Sequence, residues 1–153
     1  MKLTARQVNR FNMFKLPAAY FTGVRAKSLD DNQCTVQVRH KWINQNPFRS
    51  MFWAVQGMAA ELTTGALVMG KIHDSGKSVS MLVLNNRAEF RKKATGKITF
   101  ICDEGNKIDD ALKQTIETGE GQTVWLNAYG TNQDGVVVSN FDFEWTLKLK
   151  SKK

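Results

Sequence analysis

Cysteine and proline are scarce: two of each occur among 153 residues. Cys34 and Cys102 lie far apart in strand-like segments, which gives neither metal-ligand spacing nor a disulfide framework. There is no Gly-rich phosphate loop and no nucleophile elbow, so neither a metal nor a resident cofactor is expected. The opening MKLTARQVNRF is polar and periodic and lacks the apolar run of a secretory leader; a cytoplasmic location is the expectation. No internal repeat interrupts the chain, and the only biased stretch is the basic tail at 150–153. Residues 1–153 read as one domain, large enough to bury a core without staples.

Acids are also few, with 14 Asp and Glu against 22 Lys and Arg, for a net charge of +8. Much of the excess is in Arg87, Arg91, Lys92 and Lys93 and in the terminal KLKSKK. Such charge is either a solvated face or the seat of an anionic partner: nucleic acid, or a phosphate-rich small molecule such as coenzyme A. No helix-turn-helix, RNA-stacking or zinc-finger signature accompanies it, which weakens the nucleic-acid reading.

What is present is one long apolar stretch, NPFRSMFWAVQGMAAELTTGALVMG, from Asn46 to Gly70. Asn46-Pro47 reads as a helix start, because an Asn side chain accepts from an orphan N–H and proline fits the first turn. A helix over 46–70, apolar nearly all round, is either buried in a core or spans a membrane. Gln56, Glu61, Thr63 and Thr64 argue against the span, and no membrane partner is expected. Glu61 is the odd residue: a lone carboxylate in such a helix is costly unless it is paired or used in chemistry.

Around this helix the pattern is mostly strands. Thr4-x-x-Gln7 has the form of a capping box, and with Val8, Phe11 and Phe14 predicts a helix within 1–17 that ends before Pro17. Strands are predicted from Tyr20 to Leu29 and, by strict alternation, from Gln33 to Lys41. Ser78–Phe90, Lys97–Cys102, Gln122–Tyr129 and Val136–Lys150 follow, with a short helix between Gly105 and Glu117. An α+β domain results, an antiparallel sheet wrapped around one long central helix with an extra helix at the N-terminus.

That order resembles the hotdog fold, and specifically the PaaI-like (phenylacetate-degradation) acyl-CoA thioesterase branch. Two local patterns carry the resemblance. MAAELTTG resembles the family's small-residue helix segment with a catalytic acid, and FRKKATGKITF resembles its strand–turn–strand passage, with Gly96 at the turn. The resemblance implies that Glu61 activates water or attacks a thioester carbonyl, and that Asn46, fifteen positions earlier, orients water or thioester. It implies that the backbone N–H of Trp53 polarises the thioester oxygen. It also implies a homodimer or tetramer with substrate, an acyl-CoA or other acyl-thioester, at a subunit interface. Phe52-Trp53-Ala54 stands where the family often has His-Gly-Gly, so Trp53 crowds the approach to the backbone. Gly65 stands where a hydroxyl often follows the acid by four residues.

Each assignment has a plainer rival. Glu61 is either catalytic or a structural carboxylate satisfied by Thr64, Gln56 or a backbone N–H. Ala54, Gly57 and Gly65 leave room beside it for substrate or for a closely packed strand. Asn46 is first a cap; Met51, Phe52, Trp53 and Met58 serve a core or dimer contact as readily as an acyl pocket. His40 either pairs with Glu61, as in hotdog dehydratases, or is a core histidine. Arg91, Lys92 and Lys93 either hold coenzyme A phosphates, beside Gly96, or guard an edge strand. The function expected is thioester hydrolysis, or else non-catalytic binding of an acyl chain or acyl-thioester.

Overall fold

The computed structural model describes residues 2–151, so Lys152 and Lys153 of the basic tail lie outside it. Helix α1 (Ala5–Lys15) starts on the expected capping box: Thr4 Oγ1 accepts from the Gln7 N–H at 3.3 Å and Gln7 Oε1 accepts from the Thr4 N–H at 2.9 Å. Pro17 then opens a second short helix, α2 (Pro17–Phe21), which takes Tyr20 and Phe21 from the start of the expected strand, and a turn follows it. Proline suits the first turn of a helix as well as it ends one. The strand itself, β1, is Arg25–Leu29.

Strands β2 (Cys34–Arg39), β3 (Val79–Phe90), β4 (Lys97–Cys102), β5 (Gln122–Thr131) and β6 (Val137–Leu149) complete one sheet in the order β1-β2-β4-β5-β6-β3, antiparallel throughout. Helix α4 (Asn106–Thr118) connects β4 to β5. The alternation in β6 buries Phe141, Phe143, Trp145 and Leu147 on the face that meets the central helix, α3 (Trp53–Ser75). From Leu62 to Val68 every residue of α3 is buried, and each large apolar side chain there contributes about 1.5–3 kcal/mol relative to exposure.

Helix α3 runs from Trp53 to Ser75, not from 46 to 70. Its start is displaced because residues 46–51 form a tight loop. Asn46 Oδ1 accepts from the N–H groups of Phe48 (2.9 Å) and Ser50 (3.2 Å), and Arg49 is left-handed at φ 58°. A left-handed residue cannot continue a right-handed helix. At the other end, Lys71 makes an ion pair with Asp109 of α4 (2.8 Å) and Ile72 packs on the core, which carries the helix on to Gly76 at φ 64°.

Cys34 and Cys102, distant in sequence, are direct partners across β2 and β4, both buried and both free. Burial, and then the other thiol, push the Cys34 pKa up to about 12, and burial likewise raises Cys102 to about 12. Both are expected to resist alkylation by iodoacetamide at pH 8 in the native protein and to react stoichiometrically once guanidinium unfolds it. Labelling of the folded chain at the rate of a free thiol contradicts this packing.

Candidate functional site

The loop at 46–52, the first turn of α3 and the segment after β3 enclose an open cleft of about 530 Å³. Sequence pattern explains each wall. Asn46 closes its own loop, donating from Nδ2 to Ser50 Oγ at 2.9 Å. Met51 is pinned by its N–H to the Ala94 carbonyl (2.8 Å), and Phe52 by its N–H to the Asn44 carbonyl (2.8 Å). These bonds stop the loop and aim the N-terminus of α3 at the cleft.

Phe52 is the N-cap residue and supplies no side-chain acceptor. The Trp53 and Ala54 N–H groups at the head of α3 consequently have no protein acceptor among the described residues. Such orphan donors carry the positive end of the helix dipole and suit an oxyanion or a polarised carbonyl. The Phe52 and Trp53 rings meet edge to face at 5.9 Å, and with exposed Phe48 and Phe90 they make the cleft largely apolar. Arg91, Lys92 and Lys93 stand along its rim. Arg91 is partly neutralised by Glu89 at 2.9 Å, and Lys93 Nζ donates to the Phe48 carbonyl at 3.2 Å. Lys92 makes no ion pair among the described residues.

Thus Asn46, Trp53, Arg91, Lys92 and Lys93 share one cleft, while Glu61 and Gly96 do not line it. Gly96 is a turn glycine at φ 68° whose carbonyl accepts from the His40 N–H at 2.8 Å. Among the described residues His40 makes no hydrogen bond or ion pair with Glu61, and its Nε2 is buried without a hydrogen-bond partner. Asn46 is no helix cap but the centre of its own loop. Phe48, Gln56 and Phe90 were not expected in a site. Gln56, polar in an apolar helix, was the one signal available; its Nε2 donates to the Met51 carbonyl at 3.2 Å.

Glu61 lies two turns along α3 from Trp53, roughly 12 Å at 1.5 Å per residue. Its carboxylate is half-buried and has no hydrogen-bond or ion-pair partner among the described residues. Desolvation alone raises its pKa. The partners expected of a structural carboxylate are engaged elsewhere. Thr64 Oγ1 donates to the Glu61 backbone carbonyl (2.9 Å) and accepts from Trp145 Nε1 (2.9 Å), and Gln56 serves Met51. Two of the small residues of α3, Gly57 and Gly65, face side chains of strand β6. A Cβ on Gly65 would lie 3.1 Å from the Trp145 ring, and one on Gly57 3.5 Å from Phe141.

One long helix held in a curled, six-stranded antiparallel sheet is the hotdog fold, and solved structures bear this out. A Pseudomonas aeruginosa protein of unknown function, described as a probable thioesterase, superposes with a TM-score of 0.85 at 22% identity, covering 98% of this chain and 99% of that one. A Chlorobaculum tepidum protein of unknown function gives 0.84 at 16% identity, over 97% and 99%. A thioesterase from Haemophilus influenzae gives 0.72 at 11% identity, over 97% and 93%. A comparison with curated proteins finds no match. The model of the domain of unknown function DUF4442 matches residues 4–147, and the chain belongs to that family.

Proposed function

We propose that this protein is a cytoplasmic acyl-CoA thioesterase of the PaaI-like kind, working as a homodimer. The observation that carries the reading is the Glu61 carboxylate: half-buried, without a partner among the described residues and made more basic by desolvation. In hydrolysis Glu61 takes a proton from water as its oxygen adds to the thioester carbonyl carbon. The developing oxyanion is held by the orphan N–H of Trp53. The C–S bond then breaks, the thiolate takes the proton, and a carboxylic acid and a free thiol leave.

Two turns of helix separate Glu61 from the Trp53 N–H, so one chain cannot bring both to the same carbonyl. A second copy can, with Glu61 of one subunit facing the cleft of the other. The unpaired edge of β3 supports such a pair: it is twelve residues long and carries exposed Leu82 and Leu84. Long apolar edges are seldom left open to water. Asn46 in the cleft is suited to orient the thioester, and Arg91, Lys92 and Lys93 to meet the phosphates of coenzyme A. Gly96 lies away from the cleft and serves by shaping the turn after that basic run.

The test is free-thiol release from short, medium, long and aromatic acyl-CoAs. Turnover is expected on part of this panel. The double substitution Lys92→Ser/Lys93→Ser is expected to raise KM about tenfold with kcat little changed, since rim charges act mainly on binding. Unchanged KM would remove the phosphates from that rim. A second reading, non-catalytic binding of an acyl chain, is favoured by Trp53 standing where the resembling thioesterases have glycine. No turnover on any substrate, together with a retained fatty acyl ligand, would establish that reading.

A further inference from the structure

The net charge is not where the basic runs suggest. Residues 1–60 hold nine Lys and Arg against only Asp30 and Asp31, or +7 of the chain's +8. From Glu61 onward 13 basic residues meet 12 acidic ones, so Arg87–Lys93 and the tail are nearly balanced by acids of the same half. The sheet gathers part of the unbalanced charge at one end and adds Lys97 from the balanced half. Arg25 and Lys27 of β1, Arg39 of β2 and Lys97 of β4 line a shallow depression of about 250 Å³ on the sheet face away from α3. Arg39 and Lys97 are direct cross-strand partners, and like charges so placed destabilise a sheet. Arg25 is fixed over the Tyr20 ring at 3.6 Å. None of the four makes an ion pair among the described residues.

The same end carries large apolar side chains in water. Arg25 pairs with Gln37, so the start of β1 and the end of β2 lie together. Asn44 ties the short turn Trp42–Asn44 to the end of α2, donating from Nδ2 to the carbonyls of Thr22 and Arg39 at 2.9 Å each. Trp42 is 82% exposed and Phe21 66%, with Ile43 exposed between Trp42 and Asn44.

We propose that this end of the sheet docks on an anionic phospholipid surface. Arg25, Lys27, Arg39 and Lys97 meet the lipid phosphates, and Phe21, Trp42 and Ile43 enter the boundary between headgroups and acyl chains. Basic charge alone or a few apolar groups alone hold a protein to a bilayer weakly, and the two together hold it stably. Tryptophan favours that boundary. A single-stranded nucleic acid fits less well: between the cations the sheet face offers Gln37 and Thr99, hydrogen-bonded to each other at 3.3 Å. The Tyr20 ring is covered by Arg25, and the exposed rings of Phe21 and Trp42 lie off the sheet on α2 and the turn. No helix among the described residues is long and apolar enough to cross a membrane, and surface docking needs none.

The proposal is independent of the thioesterase reading. Its test is co-sedimentation of the full chain with vesicles of phosphatidylcholine, with or without phosphatidylglycerol. Binding is expected only with phosphatidylglycerol, falling as salt rises. Arg39→Ser/Lys97→Ser should weaken it about 30-fold, at roughly fivefold per cation near the surface. Trp42→Ser, at a position too exposed to affect folding, should weaken it several-fold; Lys92→Ser/Lys93→Ser should not. No binding to anionic vesicles overturns the proposal, as does an equal loss in all three variants. So does tighter capture by a polyuridine oligonucleotide through the same residues, or a change of oligomeric state in Trp42→Ser, which would place this face between copies.

Discussion

Replacing Glu61 by glutamine is expected to abolish thioester hydrolysis and, at neutral pH, to stabilise the fold. The two effects have one cause. In the unfolded chain the carboxyl ionises near its ordinary 4.5, whereas burial in the fold makes it hold its proton to higher pH. As pH rises past 4.5 the unfolded state loses its proton first, so stability falls until the folded group also ionises and stays lowered beyond that point. Glutamine keeps the volume and never charges. Glu61→Gln should therefore melt above the native protein at pH 7, and the advantage should vanish below about pH 4, where both carboxyl forms are neutral. Turnover should drop by about 10²–10⁴, the usual contribution of a positioned base. Thermal melts at both pH values, beside thiol release, check both halves. A lower melting temperature at pH 7 would mean that the carboxylate has a partner group in solution and is structural. Undiminished turnover would remove Glu61 from the chemistry.

Local pattern carried most of the fold. Strand β4 falls on the expected Lys97–Cys102, and the alternation in β2 and β6 placed their inward faces, because period-two burial is written directly into sequence. What failed was punctuation. Asn46-Pro47 has the chemistry of a helix start, but an Asn carbonyl caps a loop by the same bonds, and only the long-range pairing of Met51 with Ala94 decides between them. Pro17 ended one helix as expected and began another that five residues were too few to announce. Facing of the two cysteines depends on strand register, which neither segment states alone.

The candidate site divides along the same line. Asn46 and Trp53 meet Arg91–Lys93 in one cleft although some forty residues separate them. Glu61 stands apart from that cleft because a rigid helix fixes its distance from Trp53. The basic end of the sheet is drawn from three strands and was invisible as a motif. Its trace in the sequence is the want of acids before Glu61.

The other large effect expected lies behind Glu61, where Gly65, Thr64 and Trp145 behave as one packed unit. Trp145 is buried, its indole N–H is held by Thr64 Oγ1 at 2.9 Å, and its ring edge stands 3.1 Å from where a Cβ on Gly65 would be. A side chain at position 65 therefore has to push the ring aside by a few tenths of an ångström. Gly65→Ser is expected to cost about 1–3 kcal/mol, because the ring must shift and strain its bond to Thr64. At roughly 2–4 °C per kcal/mol for a chain of this size, the melting temperature falls by several degrees. Trp145→Ala should cost about 3–5 kcal/mol from the cavity it leaves, and it deprives Thr64 of a donor. The sharper test is the combination. Trp145→Phe shortens the ring beside Gly65, so Gly65→Ser added to Trp145→Phe should cost less than in the native background, with a coupling energy of about 0.5–3 kcal/mol. Strict additivity would mean that the two do not touch in solution. A coupled pair would make Gly65 the small residue that admits a strand.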